Sequence, residues 1–128
     1  MIDEFTALAA YAGEPTTFDV FSVVLAERPD GSGRSLEIHL ANSFGEQDIT
    51  SGQDTYSITV DGGAVTHYGG IKSCRIERGI LKIDLDAAAA KVLGASGFEI
   101  ELRVPTADIE KVKAGLRKIL GSANGKQQ

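Results

Sequence analysis

His39, His67, Cys74 and a few paired carboxylates are the side chains whose types could support acid–base, metal or nucleophilic chemistry. Neither histidine has a partner at metal-ligand spacing, and His39 falls on the polar face of a strand-like segment, where a solvated imidazole is expected. Cys74, the only cysteine of the chain, alternates with Ile76, which is the position of a buried thiol rather than a nucleophile. Gly31-Ser32-Gly33 lacks the lysine and helix start of a phosphate-binding loop, and Gly69-Gly70-Ile71-Lys72 leads into a strand instead of a helix. Asp84 with Asp86, and Glu99 with Glu101, fall on solvated strand faces or at a helix cap. No catalytic residue, metal ligand or cofactor loop is expected, so the reading is that of a protein that is not an enzyme and needs no cofactor.

Charge is distributed more tellingly than its sum. Residues 1–61 carry 11 Asp and Glu against 2 Lys and Arg, a balance of −9, while residues 62–128 carry 7 against 11, a balance of +4. Such asymmetry fits acidic loops that keep the protein soluble, or an acidic docking surface for a basic partner. Nucleic acid is disfavoured as a partner, because the overall balance is acidic and no basic stripe is interleaved with aromatics. Asp3 and Glu4 stand where a secretory signal would need positive charge, and no run approaches the roughly 20 apolar residues of a membrane span. With a lone cysteine, these features point to the cytoplasm.

The elements that must position these residues are mostly strands. Leu36, Ile38 and Leu40 alternate with Glu37 and His39; Tyr56, Ile58 and Val60 with Ser57 and Thr59; Leu81, Ile83 and Leu85 with Lys82 and Asp84. Phe98, Ile100, Leu102 and Val104 alternate likewise with Glu99, Glu101 and Arg103. This period of two marks strands with one buried and one wet face. Residues 18–25 break the pattern, with Phe18, Val20 and Val24 on one side and Phe21, Val23 and Leu25 on the other, as in a strand covered on both faces. Pro29-Asp30-Gly31, Asp61-Gly62-Gly63 and Glu77-Arg78-Gly79 read as turns. Asp86 caps a short helix stopped by Gly94. A second helix runs from about Ala107 to Leu120, with Ile109, Val112, Leu116, Ile119 and Leu120 as its apolar stripe and Gly115 as a point of close approach to the sheet. The fold expected is α+β, a curved, mainly antiparallel sheet of about six to eight strands with a short helix and a C-terminal amphipathic helix packed on one face. Residues 1–121 form one domain, and residues 122–128 a disordered tail.

Residues 46–71, EQDITSGQDTYSITVDGGAVTHYGGI, join an acidic segment, a hairpin and a Tyr-Gly-Gly tripeptide. In Glu46-Gln47-Asp48, Gly52-x-Asp54-x-Tyr56 and Tyr68-Gly69-Gly70-Ile71 the chain resembles the immunity protein 10 family of bacterial polymorphic-toxin systems. The downstream order of strand, small helix, strand and closing amphipathic helix agrees, so the resemblance covers about residues 5–120. It implies a cytoplasmic protein that binds and neutralises a cognate toxin, with no catalytic residues. Glu46, Asp48, Asp54, Tyr56 and Tyr68 are the candidate partner-binding residues. Two structural readings stand beside this one: Tyr68-Gly69-Gly70 as a bend between strands, and Tyr56 packed beneath the acidic segment. Two alternative functions also stand. One is a small-ligand module with a pocket lined by Phe18, Phe21, Tyr56 and Tyr68; the other is a self-assembling domain that pairs through an edge strand.

Overall fold

A computed structural model of the protein describes residues 2–13, 20–30, 32–41, 56–63 and 65–124. Among the described residues the chain runs β1 (Ile2–Ala7), β2 (Ala9–Gly13), β3 (Val20–Ala26), β4 (Ser35–Ala41), β5 (Ser57–Val60), β6 (Val65–Tyr68), β7 (Ile71–Glu77), β8 (Ile80–Leu85), α1 (Ala87–Leu93), β9 (Gly97–Leu102) and α2 (Thr106–Asn124). The class is α+β, as the alternation predicts. The strands divide between a four-stranded sheet, β1-β9-β8-β7, and a five-stranded sheet, β2-β3-β4-β5-β6. Every neighbouring pair is antiparallel except β1 with β9.

The expectation of one sheet with six to eight strands therefore gives way to nine strands in two sheets among the described residues. The chain passes between sheets at two corners, Leu8 between β1 and β2, and Gly69-Gly70 between β6 and β7. Alternation reports which residues face inward, not which strand lies alongside, so it carries no trace of the division. The strands β1 and β2 were also invisible to it, because Ala7, Ala9, Ala10 and Ala12 are weak strand formers and alternate poorly.

The inward residues of both sheets meet in one core. Val23, Leu25, Leu36, Ile38 and Ile58 from the larger sheet join Leu81, Ile83, Phe98 and Ile100 from the smaller, all at most 2% exposed. Full burial of each such side chain contributes roughly 1.5–3 kcal/mol. Helix α2 lies against β2, β3 and β4 and adds Val112, Leu116 and Ile119 to the core. Gly115 lets it approach closely: a Cβ there would stand 2.9 Å from Val23 Cγ2 and 3.1 Å from Ala12 Cβ. The helix continues to Asn124, past the point where the tail was expected to begin, and residues 125–128 lie outside the described residues. Glu99 and Glu101 face away from the core, half-buried and exposed respectively.

Local chemistry fixes the ends of these elements. The Asp86 carboxylate accepts from Ala89 N–H at 2.9 Å, and Gly94 closes α1 at φ 78°, a conformation glycine adopts without steric penalty. Arg78 and Gly79, with φ of 55° and 77°, make the two-residue turn between β7 and β8, whose backbone twist suits a hairpin. Arg34 joins the two sheets. Its guanidinium spans both oxygens of Asp3 on β1, donates from Nε to Asp61 Oδ1 at 2.7 Å, and lies 5.5 Å from the centroid of the Phe5 ring. These bonds, the pair with Asp3 foremost, hold its pKa above the ordinary arginine value.

Candidate functional site

The outer face of the five-stranded sheet carries accessible polar and aromatic groups. Register aligns Tyr11, Val24, Glu37, Thr59 and Thr66 in one row from β2 to β6, and Gly13, Ser22, His39, Ser57 and Tyr68 in the next. Tyr11 and Tyr68, 48% and 44% exposed, stand on the two edge strands. Between them Thr59 and Thr66 share a hydroxyl hydrogen bond at 3.0 Å.

Three side chains of this face form a chain. Ser22 Oγ lies 2.7 Å from His39 Nδ1, and His39 Nε2 lies 2.9 Å from Glu37 Oε1. A hydroxyl, an imidazole and a carboxylate in sequence are the parts of an acyl-transfer relay. The surroundings serve another purpose. Ser22 is only 4% exposed, and it sits on β3 between β2 and β4, where backbone N–H groups are committed to the ladders instead of to an oxyanion. What the chain accomplishes is orientation: the His39 ring is held on both nitrogens. The alternation of β4 placed Glu37 and His39 on one face, but the partnership with Ser22 depends on the β3–β4 register, which sequence reasoning did not supply.

Tyr68-Gly69-Gly70-Ile71 is the corner that carries the chain from one sheet to the other. Gly69 N–H donates to the Tyr56 carbonyl at 2.9 Å, Asp86 N–H donates to the Gly70 carbonyl at 2.8 Å, and Ile71 N–H donates to the Tyr56 hydroxyl at 2.9 Å. The glycines hold φ of 73° and 100°, values that other residues rarely adopt. Tyr56 is 2% exposed, and its burial raises the phenol pKa. Its position inside the core is that of a residue that packs the corner. Tyr68, by contrast, is accessible. Glu46, Asp48 and Asp54 lie outside the described residues; the chain leaves β4 at Ala41 and resumes at Tyr56, both at the sheet end beside the Tyr68 row.

Among the described residues of the small-ligand alternative, Phe21, Tyr56 and Tyr68 do not line one cavity. Phe21 faces inward, with Lys118 Nζ 5.2 Å from its ring centroid, Tyr56 is buried, Tyr68 points out from the opposite face, and Phe18 lies outside the described residues. Cys74 packs on the inner side of β7, and burial pushes its thiol up to about 12, which suits a structural residue. Among the described residues no group of three or more His, Cys, Asp or Glu is placed to hold a metal ion, and no helix is long and apolar enough to cross a membrane.

The fold and this face define an α+β protein of two open sheets over a common core, with a polar, tyrosine-flanked sheet surface turned outward. The family described as Immunity protein 10 matches residues 6–110 of the 128-residue chain, and the chain belongs to that family. No curated protein and no solved structure matches it.

Proposed function

We propose that the protein binds a cognate bacterial toxin in the cytoplasm and neutralises it by occupying its working surface, without catalysis of its own. Membership of the immunity protein 10 family over residues 6–110 is the observation that carries this reading. The contact surface we infer is acidic, built from Glu46, Asp48 and Asp54 with Tyr68 beside the points where their segment leaves and rejoins the sheet. The balance of −9 over residues 1–61 supports it. Toxins that act on nucleic acid hold phosphates with basic side chains, and an acidic inhibitor surface speeds encounter with such a partner and masks its site. Two exposed tyrosines add the rigid, amphipathic contact area on which protein interfaces draw.

The test is the affinity of this protein for the toxin domain encoded by the adjacent upstream gene, measured across a range of salt concentrations. Combined reversal of Glu46, Asp48 and Asp54 to lysine is expected to weaken binding tenfold or more at low salt and to flatten its salt dependence. Unchanged affinity and slope would remove the acidic surface from the account, and no binding by the unaltered protein would remove the immunity reading itself.

A further inference from the structure

We propose that two copies of this chain pair through the edge strand β2, with Tyr11 of each lodged beside the Ala9–Ala26 hollow of the other. An unpaired edge is a template for a further strand unless charge, a bulge or shortness blunts it. Among the described residues the edges are β1 and β7 of the smaller sheet and β2 and β6 of the larger. Three of them are blunted: β1 carries Asp3 and Glu4, β7 carries Lys72, Arg75 and Glu77, and β6 is only four residues long. The strand β2, extended by the bond from Leu8 N–H to the Ala26 carbonyl, has no charge and an unbroken register. Leu8 and Tyr11 stand 50% and 48% exposed along it.

The sequence of β2 selects a second copy of itself. In an antiparallel pair about a two-fold axis at Tyr11, Ala9 faces Gly13 of the other copy and Ala10 faces Ala12. Each opposed residue is small or is Tyr11 itself, and no like charges meet. The Tyr11 ring extends along β2 over its own Gly13, where a Cβ would stand 2.9 Å from the hydroxyl and 3.2 Å from Cζ. The two rings therefore point away from the axis in opposite directions and pass without collision. Each ends level with Ala9 of the other copy. A shallow, mostly apolar hollow of about 240 Å³, lined by Ala9, Val24 and Ala26, lies there to receive its edge.

The helix above β2 leaves room for this pairing. A Cβ on Gly115 would meet Val23 and Ala12 together, so α2 lies over the seam of β2 and β3 instead of over the edge. Two copies of it related by the two-fold would run about 10 Å apart, as packed helices do. The pairing joins the two larger sheets into one and assigns Tyr11 to the contact between copies. Tyr68, on the opposite edge strand β6, stays open to a toxin, so this contact goes beyond the immunity reading and does not depend on it. One short strand buries little area, which makes the pair reversible and concentration-dependent.

Sedimentation equilibrium of the full chain, from micromolar to millimolar concentration, reads the mass, and urea midpoints establish that each variant is folded. The mass is expected to rise to twice that of the chain and no further. Tyr11→Glu and Tyr11→Lys, which set like charges opposite each other at the axis, should each stay monomeric across the range. Mixed in equal amounts they should pair again, because the axis then joins opposite charges. Thr66→Glu, on the same face at the far edge, should dimerise as the unaltered chain does. A mass that stays that of one chain, or that climbs past two, overturns the proposal. So does a dimer that survives Tyr11→Glu, one lost equally in Thr66→Glu, or a mixture of the folded Tyr11 variants that stays monomeric. Toxin binding enters none of these outcomes, so the immunity reading stands or falls separately.

Discussion

A Cβ atom on Gly70 would stand 2.5 Å from the Cβ of Ala89, so the first turn of α1 packs directly on the corner between the two sheets. Gly70 also holds φ of 100°. Gly70→Ala is therefore expected to cost about 2–4 kcal/mol, combining backbone strain with overpacking. Urea unfolding measures it. Because Ala89→Gly removes the clash but not the strained φ, the double variant should regain only part of the loss.

Tyr56→Phe separates the two roles weighed for that residue. The change deletes the acceptor of Ile71 N–H and leaves a half-buried donor unsatisfied, at about 1–2 kcal/mol. Toxin affinity, measured well below the unfolding transition, should not change. A large loss of affinity with unaltered stability would return Tyr56 to the contact surface.

Gly115 sets helix propensity against packing. Alanine would add about 1 kcal/mol of helix stability, but its Cβ would press on Val23, Ala12 and Phe21 at 2.9 to 3.2 Å, and such overpacking costs about 1–3 kcal/mol. Packing prevails. The expected result for Gly115→Ala is a net loss of up to about 2 kcal/mol in urea unfolding, and a clear gain would mean that α2 can retreat from the sheet.

Alkaline pH should weaken the fold. Burial pushes the Cys74 thiol from 9.0 up to about 12 and raises the Tyr56 phenol above 10.0. Both groups keep their protons in the folded chain at pH values where the unfolded chain has lost them, so unfolding releases protons there. Their contribution is complete below about pH 9 and is lost as pH rises through the folded values. The urea midpoint is expected to hold from about pH 7 to 8.5 and to fall towards pH 11. Cys74→Ala should make that fall shallower.

How much of this was legible in the sequence varies by element. The strands around Ile38, Ile58, Ile83 and Ile100 announced themselves by alternation, and Asp86 and Gly94 bounded α1 because capping is local chemistry. Gly115 signalled close approach because a glycine inside a helix gives up propensity that packing can offset. The division into two sheets was hidden, since it depends on corners at Leu8 and Gly69-Gly70 that redirect the chain without altering any strand's pattern. The candidate surface divided similarly. The Ser22–His39–Glu37 chain exists only once β3 and β4 are in register. The burial of Tyr56 was not legible in its motif, because it follows from the corner whose Ile71 N–H its hydroxyl accepts.

Growth rescue tests the central claim most directly. The toxin domain of the adjacent upstream gene is expressed in bacterial cells with and without this protein, and growth and co-purification are followed together. The account predicts arrest without the protein, recovery with it, and recovery of the two chains as a complex. A toxic neighbour that still arrests growth in the presence of the folded protein, with no complex recovered, would contradict it.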